Sequence, residues 1–291
     1  MNTTELISAI KLHGSFPTSD DLFSNSDFLS LFNHQMKAEI VPMMMKLNEE
    51  YFIQYKDFTI TAGSTYRIPT RAIGAQIRAL LTVDSSGNYG VPLVRRFEED
   101  RPSALSGYYM LRNSIELSSD YSSGTLRMKY FARPSTLVLT TSCGQITSIN
   151  TATFTVVVSS APSTFANGTV VDFVQNLNPH DLLGMDYAIS TVSGTTLTFT
   201  SLPSDLAVGD WICIATESPV PMIPDEMEPV LIQSALCKTL SSKKDKAYDA
   251  EMKTLMRIKE DAINMLDPRV QNSGNKVKTG KLVGYFSSRR F

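Results

Sequence analysis

The sequence predicts an α+β fold: a helical body built from both ends of the chain, a β-rich region after the N-terminal helix, and an inserted all-β sandwich or barrel. Three observations carry this. Apolar residues recur at helical spacing over 28–51 and 230–266, and at a spacing of two between 58 and 130. The 291 residues are 42% hydrophobic, enough for more than one core, which excludes a disordered or collagen-like chain. Charge is zoned: residues 1–135 carry 14 basic and 14 acidic groups, 136–217 no Lys or Arg and six acids, 218–274 eight basic and nine acidic, and 275–291 five basic and none acidic.

In the first zone Phe28, Leu29, Phe32, Met36, Ile40, Met43, Leu47 and Tyr51 line one helical face, with Ser26 and Asp27 as the expected N-cap and Pro42 as an expected kink or break. The period then becomes two. Phe58 and Ile60, Tyr66 and Ile68, and Ile77, Ala79, Leu81 and Val83 read as strands with one wet face, and Leu126, Met128 and Tyr130 as another ending at Arg133-Pro134. Asp84-Ser85-Ser86-Gly87-Asn88 reads as a turn between strands in preference to a calcium loop, because it lacks the trailing bidentate Glu. In the uncharged-base zone, strands are expected at 153–158, 169–174, 188–192, 196–200 and 211–215, separated by Gly, Pro, Asn and Ser. Asp225-Glu226-Met227-Glu228 then opens a helix with acids at its positive end, Ser241 to Lys244 marks a turn, and a second helix runs to Asp267-Pro268. Two helices with one apolar face each are expected to form a hairpin closing on the N-terminal helix. The expected divisions are 1–54 helical, 55–135 β-rich, 136–217 inserted all-β, 218–274 a helical hairpin and 275–291 a basic aromatic tail.

The functional signals are fewer. A net charge of -2 argues against a surface built throughout for nucleic acid. No apolar run is long enough to span a membrane, and MNTTELISAI lacks the character of a signal peptide, so a soluble chain made in the cytosol is expected. Cys143, Cys213 and Cys237 form no CxxC pair and are expected to be buried free thiols. His13, His34 and His180 have no metal-ligand spacing, so neither a metal nor a cofactor is expected, and no nucleophile elbow, phosphate loop or dinucleotide fingerprint occurs. Glu98-Glu99-Asp100, flanked by Arg95, Arg96 and Arg101, reads as a solvated loop, and Asn167-Gly168-Thr169 as a glycosylation sequon in form only. No enzyme is expected. A glycosidase using a pair such as Asp181 and Asp186 ranks third among the readings, because carboxylate pairs arise by chance everywhere.

The informative constellation is the tail. Lys276, Lys278, Lys281, Arg289 and Arg290 alternate with Leu282, Tyr285, Phe286 and Phe291 beyond a helix stop, with glycines at 274, 280 and 284. So short a segment cannot bury its own rings. It is either a frayed end or a docking peptide, for which aromatic and Arg anchors are suited, and the acidic middle zone or single-stranded nucleic acid are rival sites for it.

The order of features resembles the head-to-tail connector, or portal adaptor, proteins of tailed bacteriophages. Residues 50–83, EYFIQYKDFTITAGSTYRIPTRAIGAQIRALLTV, are similar to the family's passage from helix end into YKDYTITAG and a YRIP strand. Residues 208–240, VGDWICIATESPVPMIPDEMEPVLIQSALCKTL, are similar to its GD strand, SPxPxIPxE turn and following helix. Residues 124–134 and the Asp267-Pro268-Arg269-Val270 exit extend the likeness along most of the chain. The resemblance implies a structural protein of the virion neck: a homo-oligomeric ring, commonly of twelve copies, between the portal and the tail-tube or nozzle proteins. It further implies DNA passing the lumen without specific binding, and a C-terminal tail that docks on the portal. The alternative is a virion β-domain protein that binds carbohydrate or a cell surface through its Thr-rich middle zone.

Overall fold

The computed structural model describes residues 1–16, 23–84, 86–97, 99, 105–178 and 180–266. Within them the protein is a mixed α and β structure with several mainly antiparallel sheets and no closed barrel.

Helix α1 (Thr3–His13) falls within the expected helical division 1–54, though the periodicity argument began only at Phe28; its own signal is a capping box of Asn2 and Glu5 ahead of Leu6, Ile7 and Ile10. The Asn2 side chain accepts from the Glu5 amide at 3.0 Å and the Glu5 carboxylate from the Asn2 amide at 2.8 Å. Helix α2 (Asn25–Gln35) is capped by Ser24 and not by Ser26. Asp27 accepts from the Ser24 hydroxyl at 2.6 Å and the Ser24 amide at 2.8 Å, bonds that hold its carboxyl below the ordinary value. Ser24→Ala should lower stability by about 1 kcal/mol in denaturant unfolding. Pro42 does not break the helix. A π-helical turn (Met36–Ile40) precedes α3 (Val41–Leu47), and Pro42 lies in the first turn of α3, where the widened turn absorbs the missing amide donor.

The helical core joins both ends of the chain. Leu6, Ile10, Phe28, Phe32, Ile40 and Met44 pack with Met227, Val230, Leu231 and Ala235. Helix α4 (Glu228–Lys243) is buried at almost every position from Val230 to Leu240, where a single apolar face was expected. It is the central helix, and its buried polar groups are matched: Gln233 donates to the Glu251 carboxylate at 2.8 Å, Thr239 to the Ala235 carbonyl at 3.0 Å, and Ser234 to Glu39, which also pairs with Lys259. Lys244 adopts φ of 53° and turns the chain into α5 (Tyr248–Leu266), an amphipathic helix packed on α4.

Two smaller sheets follow α3. Strands β1 (Ile53–Thr59), β7 (Thr125–Ala132) and β3 (Ala72–Val83) form one, in that order. Strands β2 (Thr65–Arg67), β6 (Ser114–Leu117), β5 (Tyr108–Leu111) and β4 (Arg95–Arg96) form the other. They enclose Ile60, Tyr66, Ile68, Leu80, Ile115, Leu126, Met128 and Tyr130. The alternation expected over 126–130 holds, with Leu126, Met128 and Tyr130 on the buried face, but the one expected over 77–83 is broken by a register shift between Ile77 and Ala79, which places Leu80, and not Ala79 or Leu81, in this core.

Strand β8 (Thr136–Leu137) pairs in parallel with β16 (Glu217–Ser218), so the two connections to the intervening segment run side by side. Between them lies a seven-stranded sheet. Its strands are β9 (Gly144–Asn150), β10 (Thr155–Val158), β11 (Val170–Val174), β12 (Leu182–Ala188), β13 (Thr191–Ser193), β14 (Thr196–Thr198) and β15 (Trp211–Ile214). The spatial order is β12-β11-β15-β9-β10-β14-β13. The edge strands β12 and β13 are consecutive in the chain and bend at Ile189 and Ser190, so the sheet curls around Ile146, Val156, Phe173, Leu197 and Ile212 without closing. The barrel alternative is thereby corrected. Strand β9 and most of β12 were missed, because Gly144, Gln145 and Gly184, Met185, Asp186 interrupt the Val and Thr signal.

Both connections are anchored to the helical part, the second by the Thr3 amide, which donates to the Pro219 carbonyl at 2.7 Å, and the first more extensively. Leu137 is buried there, the Asn33 amide group exchanges bonds of 2.9 and 2.8 Å with the Leu137 backbone, and the Thr3 hydroxyl donates to the Val138 carbonyl at 2.8 Å. Replacing residues 142–215 by a Gly/Ser linker, with Arg71→Gln, should therefore keep the helical circular dichroism signal; loss of that signal together with solubility would show that the helices need the sheet.

Candidate functional site

The seven-stranded sheet meets the β1-β7-β3 sheet at an open polar cleft of about 590 Å3, lined in part by Tyr55, Lys56, Asp57, Arg71, Tyr130 and Asp186. Arg71 fixes the junction. It sits in the Pro69–Ala72 turn, whose ends are held by the Ala72 amide on the Pro69 carbonyl at 2.9 Å and the Arg133 amide on the Arg71 carbonyl at 2.7 Å. Its guanidinium grips Asp172 of β11 in a fork of 2.6 and 2.8 Å and reaches Asp186 of β12 at 2.7 Å. Asp172 is fully buried and also accepts the backbone amides of Asp186 at 3.0 Å and Thr216 at 2.8 Å. Those two residues hold positive φ angles of 60° and 73°, so local backbone strain is spent to aim their amides at one carboxylate. Burial alone would lower the Arg71 pKa, but the bonds and charges of Asp172 and then Asp186 outweigh it and keep the guanidinium cationic. A zone with six acids and no base has to find its counter-ion elsewhere, and Arg71 is where it does.

On the outer face of β1 and β7 a second Arg organises aromatic rings. Arg127 forks onto Asp57 at 2.7 and 2.6 Å, stacks 4.0 Å from the Tyr55 ring, and donates to the Tyr89 hydroxyl at 2.5 Å. Asp57, first through its bond, raises the Arg127 pKa. Tyr89 begins an extended segment that edges both small sheets. The Gly90 amide donates to Thr82 and the Leu93 amide to Leu80, each at 2.8 Å, after which the chain becomes β4. This edge segment exposes Tyr89 by 58%, Val91 by 83%, Val94 by 55% and Phe97 by 65%. It lies tight against β5 because Gly107, at φ of 152°, places where its Cβ would be only 2.3 Å from the Val94 carbonyl oxygen. Gly107→Ala should cost about 1–3 kcal/mol and loosen this edge, read as lower thermal stability with faster amide exchange at residues 91–96.

The anticipated residues fare differently. Asp84 forms a turn, accepting the Ser86 and Asn88 amides at 2.8 Å each, and Tyr89 returns to bridge Val83. All three cysteines are buried and free. Asp186 belongs to the Arg71 cluster, whereas Asp181 lies just before β12 and is not among the groups that Arg71 holds. Among the described residues no helix is long and apolar enough to cross a membrane. Most of the Glu98-Glu99-Asp100 cluster, the 267–270 exit and every tail residue from Lys276 to Phe291 lie outside the described residues. Sequence reading missed both Arg71 and the 89–97 edge; the unbalanced acids of the middle zone pointed to the first, and the apolar run Tyr89, Val91, Leu93, Val94 to the second. No protein-family model and no curated protein matches this chain.

Proposed function

We propose that the protein is a structural subunit of the neck of a tailed bacteriophage, assembling as a head-to-tail connector ring between portal and tail. The observation that carries the assembly half of this reading is the exposed apolar side chains of Tyr89, Val91 and Val94 on one edge segment. Large apolar side chains grouped on a sheet edge are a surface that soluble chains ordinarily cover, and a neighbouring copy in a ring covers it with a repeated contact. The connector half rests on the resemblance in sequence. The fold is compatible with it: the helical core gathers both ends of the chain, so a tail leaving α5 starts from the helical side, while the curled sheet is held apart on two adjacent connections. The finer architecture, a helical body carrying an inserted β unit, belongs to this same reading. In it Lys276, Lys278 and Lys281 with Leu282, Tyr285, Phe286, Arg289, Arg290 and Phe291 dock on the portal, with apolar burial of the rings outweighing exposed ion pairs.

The test is the mass and image of the purified chain, alone and mixed with the portal protein from the same virion. Rings of many copies are expected, with portal binding lost on truncation after residue 274. A monomer that never joins a portal overturns the reading. The carbohydrate-binding alternative is favoured by one feature, the open cleft in which Tyr55 stands among Lys56, Asp57 and Asp186. Glycan binding that Tyr55→Ala removes, by a chain that stays monomeric, would establish it.

A further inference from the structure

Beyond that assembly, one ring nitrogen of a buried histidine stands without a hydrogen-bond partner beside two carboxylates. His180, in the loop before β12, has its side chain 95% buried, being 5% exposed. One ring nitrogen, Nδ1, lies 3.4 Å from the Gln175 carbonyl, which fixes Nδ1 as the donor. The other, Nε2, is buried and has no hydrogen-bond partner. It faces Glu228 Oε1 at 4.0 Å, at the first position of α4, and Asp225 lies one turn earlier. The donor atoms of His180, Asp225 and Glu228 all lie within 4.8 Å of one another.

A bare imidazole nitrogen next to two carboxylate oxygens offers lone pairs with nothing to receive them. The α-amino group of Met1, 2.5 Å from Glu228 Oε1, neutralises that carboxylate but leaves Nε2 and Asp225 unanswered. The arrangement of the ring, with one nitrogen bonded to a backbone carbonyl and the other free, is the orientation that a metal-bound histidine receives from its surroundings.

We propose that His180 Nε2, Asp225 and Glu228 bind one divalent transition-metal cation of the zinc type. One nitrogen and two carboxylate oxygens suit zinc better than calcium or magnesium, which favour oxygen-only shells. Donors around a tetrahedral zinc stand about 3.4 Å apart, so His180 Nε2 and Glu228 Oε1, now 4.0 Å apart, need to close by about 0.6 Å, and the separations to Asp225, at most 4.8 Å, by up to about 1.4 Å, which its solvent-facing side chain can supply. The fourth position falls to water or to the Met1 amine after loss of its proton to solvent. The ion would tie the His180 loop to the head of α4 and the N-terminus, which are already joined by the Met1–Glu228 ion pair. Its ligands are invisible as a sequence motif because they join residue 180 to residues 225 and 228.

The test is calorimetric titration of the full chain with zinc chloride, with cobalt chloride as a spectroscopic probe. One zinc per chain, displacement of cobalt with loss of its visible absorption, and a raised melting temperature are expected. Asp225→Asn alters an exposed group and should leave folding intact while weakening zinc binding at least about tenfold; His180→Ala should abolish the stoichiometric site and its cobalt spectrum. Absence of stoichiometric binding overturns the proposal, as does binding that both variants retain, which would assign the ion to other surface groups such as His13 or His34.

Discussion

Arg71→Ala should destabilise the protein by about 3–5 kcal/mol, because it leaves the Asp172 carboxylate buried and without its cation. The loss is larger than the worth of the ion pair itself. Forming the pair desolvates both charges, and that cost roughly offsets their attraction, but removing one partner leaves the other's desolvation uncompensated. Asp186, half exposed, turns to solvent and gains nothing from the vacancy. Denaturant unfolding of the variant beside the parent protein at neutral pH measures this loss directly. A deficit under 1 kcal/mol at neutral pH would mean that water reaches Asp172 and that the cluster is not a sealed junction. Arg71→Met with Asp172→Leu should recover only part of the loss, since the amides of Asp186 and Thr216 would still lack their acceptor.

That cluster also shows what kind of information the sequence holds. Periodicity located most of the helices and the buried face of β7, because Phe28, Phe32 and Ile40, or Leu126, Met128 and Tyr130, each report on the element they belong to, whereas the bulge after Ile77 shifted the phase of β3 and put Leu80 in the core. Helix α4 defeated the same reasoning. Val230, Leu231, Ile232, Ala235, Leu236 and Cys237 leave no polar stripe to fix a face, and a helix buried all round looks like a weakly amphipathic one. Pairings between distant segments were legible only as imbalance. Six acids without a base announced a counter-ion from outside the zone but could not name Arg71, and three histidines judged by spacing could not reveal that His180 turns towards the start of α4. The tail was read from composition alone, and its residues lie outside those the structure describes.

The second large effect concerns assembly. Val91→Asp combined with Val94→Asp should weaken self-association at least about 100-fold, equivalent to about 2.8 kcal/mol per subunit contact, while changing protomer stability by less than about 0.5 kcal/mol. Both side chains are largely exposed in the single chain, so a carboxylate there meets water and perturbs little of the core. In a ring the same carboxylates would lie between subunits, where each costs its hydration unless a cation faces it. The contrast between an unchanged melting curve and a collapsed assembly is what separates an interface from an ordinary exposed valine. Val208→Asp, at another exposed valine in the loop before β15, supplies the control and should leave the mass distribution as it is. Mass photometry over a concentration series reads all three proteins. If the double variant assembles as the parent does, the 89–97 edge is not the contact, and the ring would have to be held through the exposed face of α5, where Met256 and Met265 stand out by 63% and 71%.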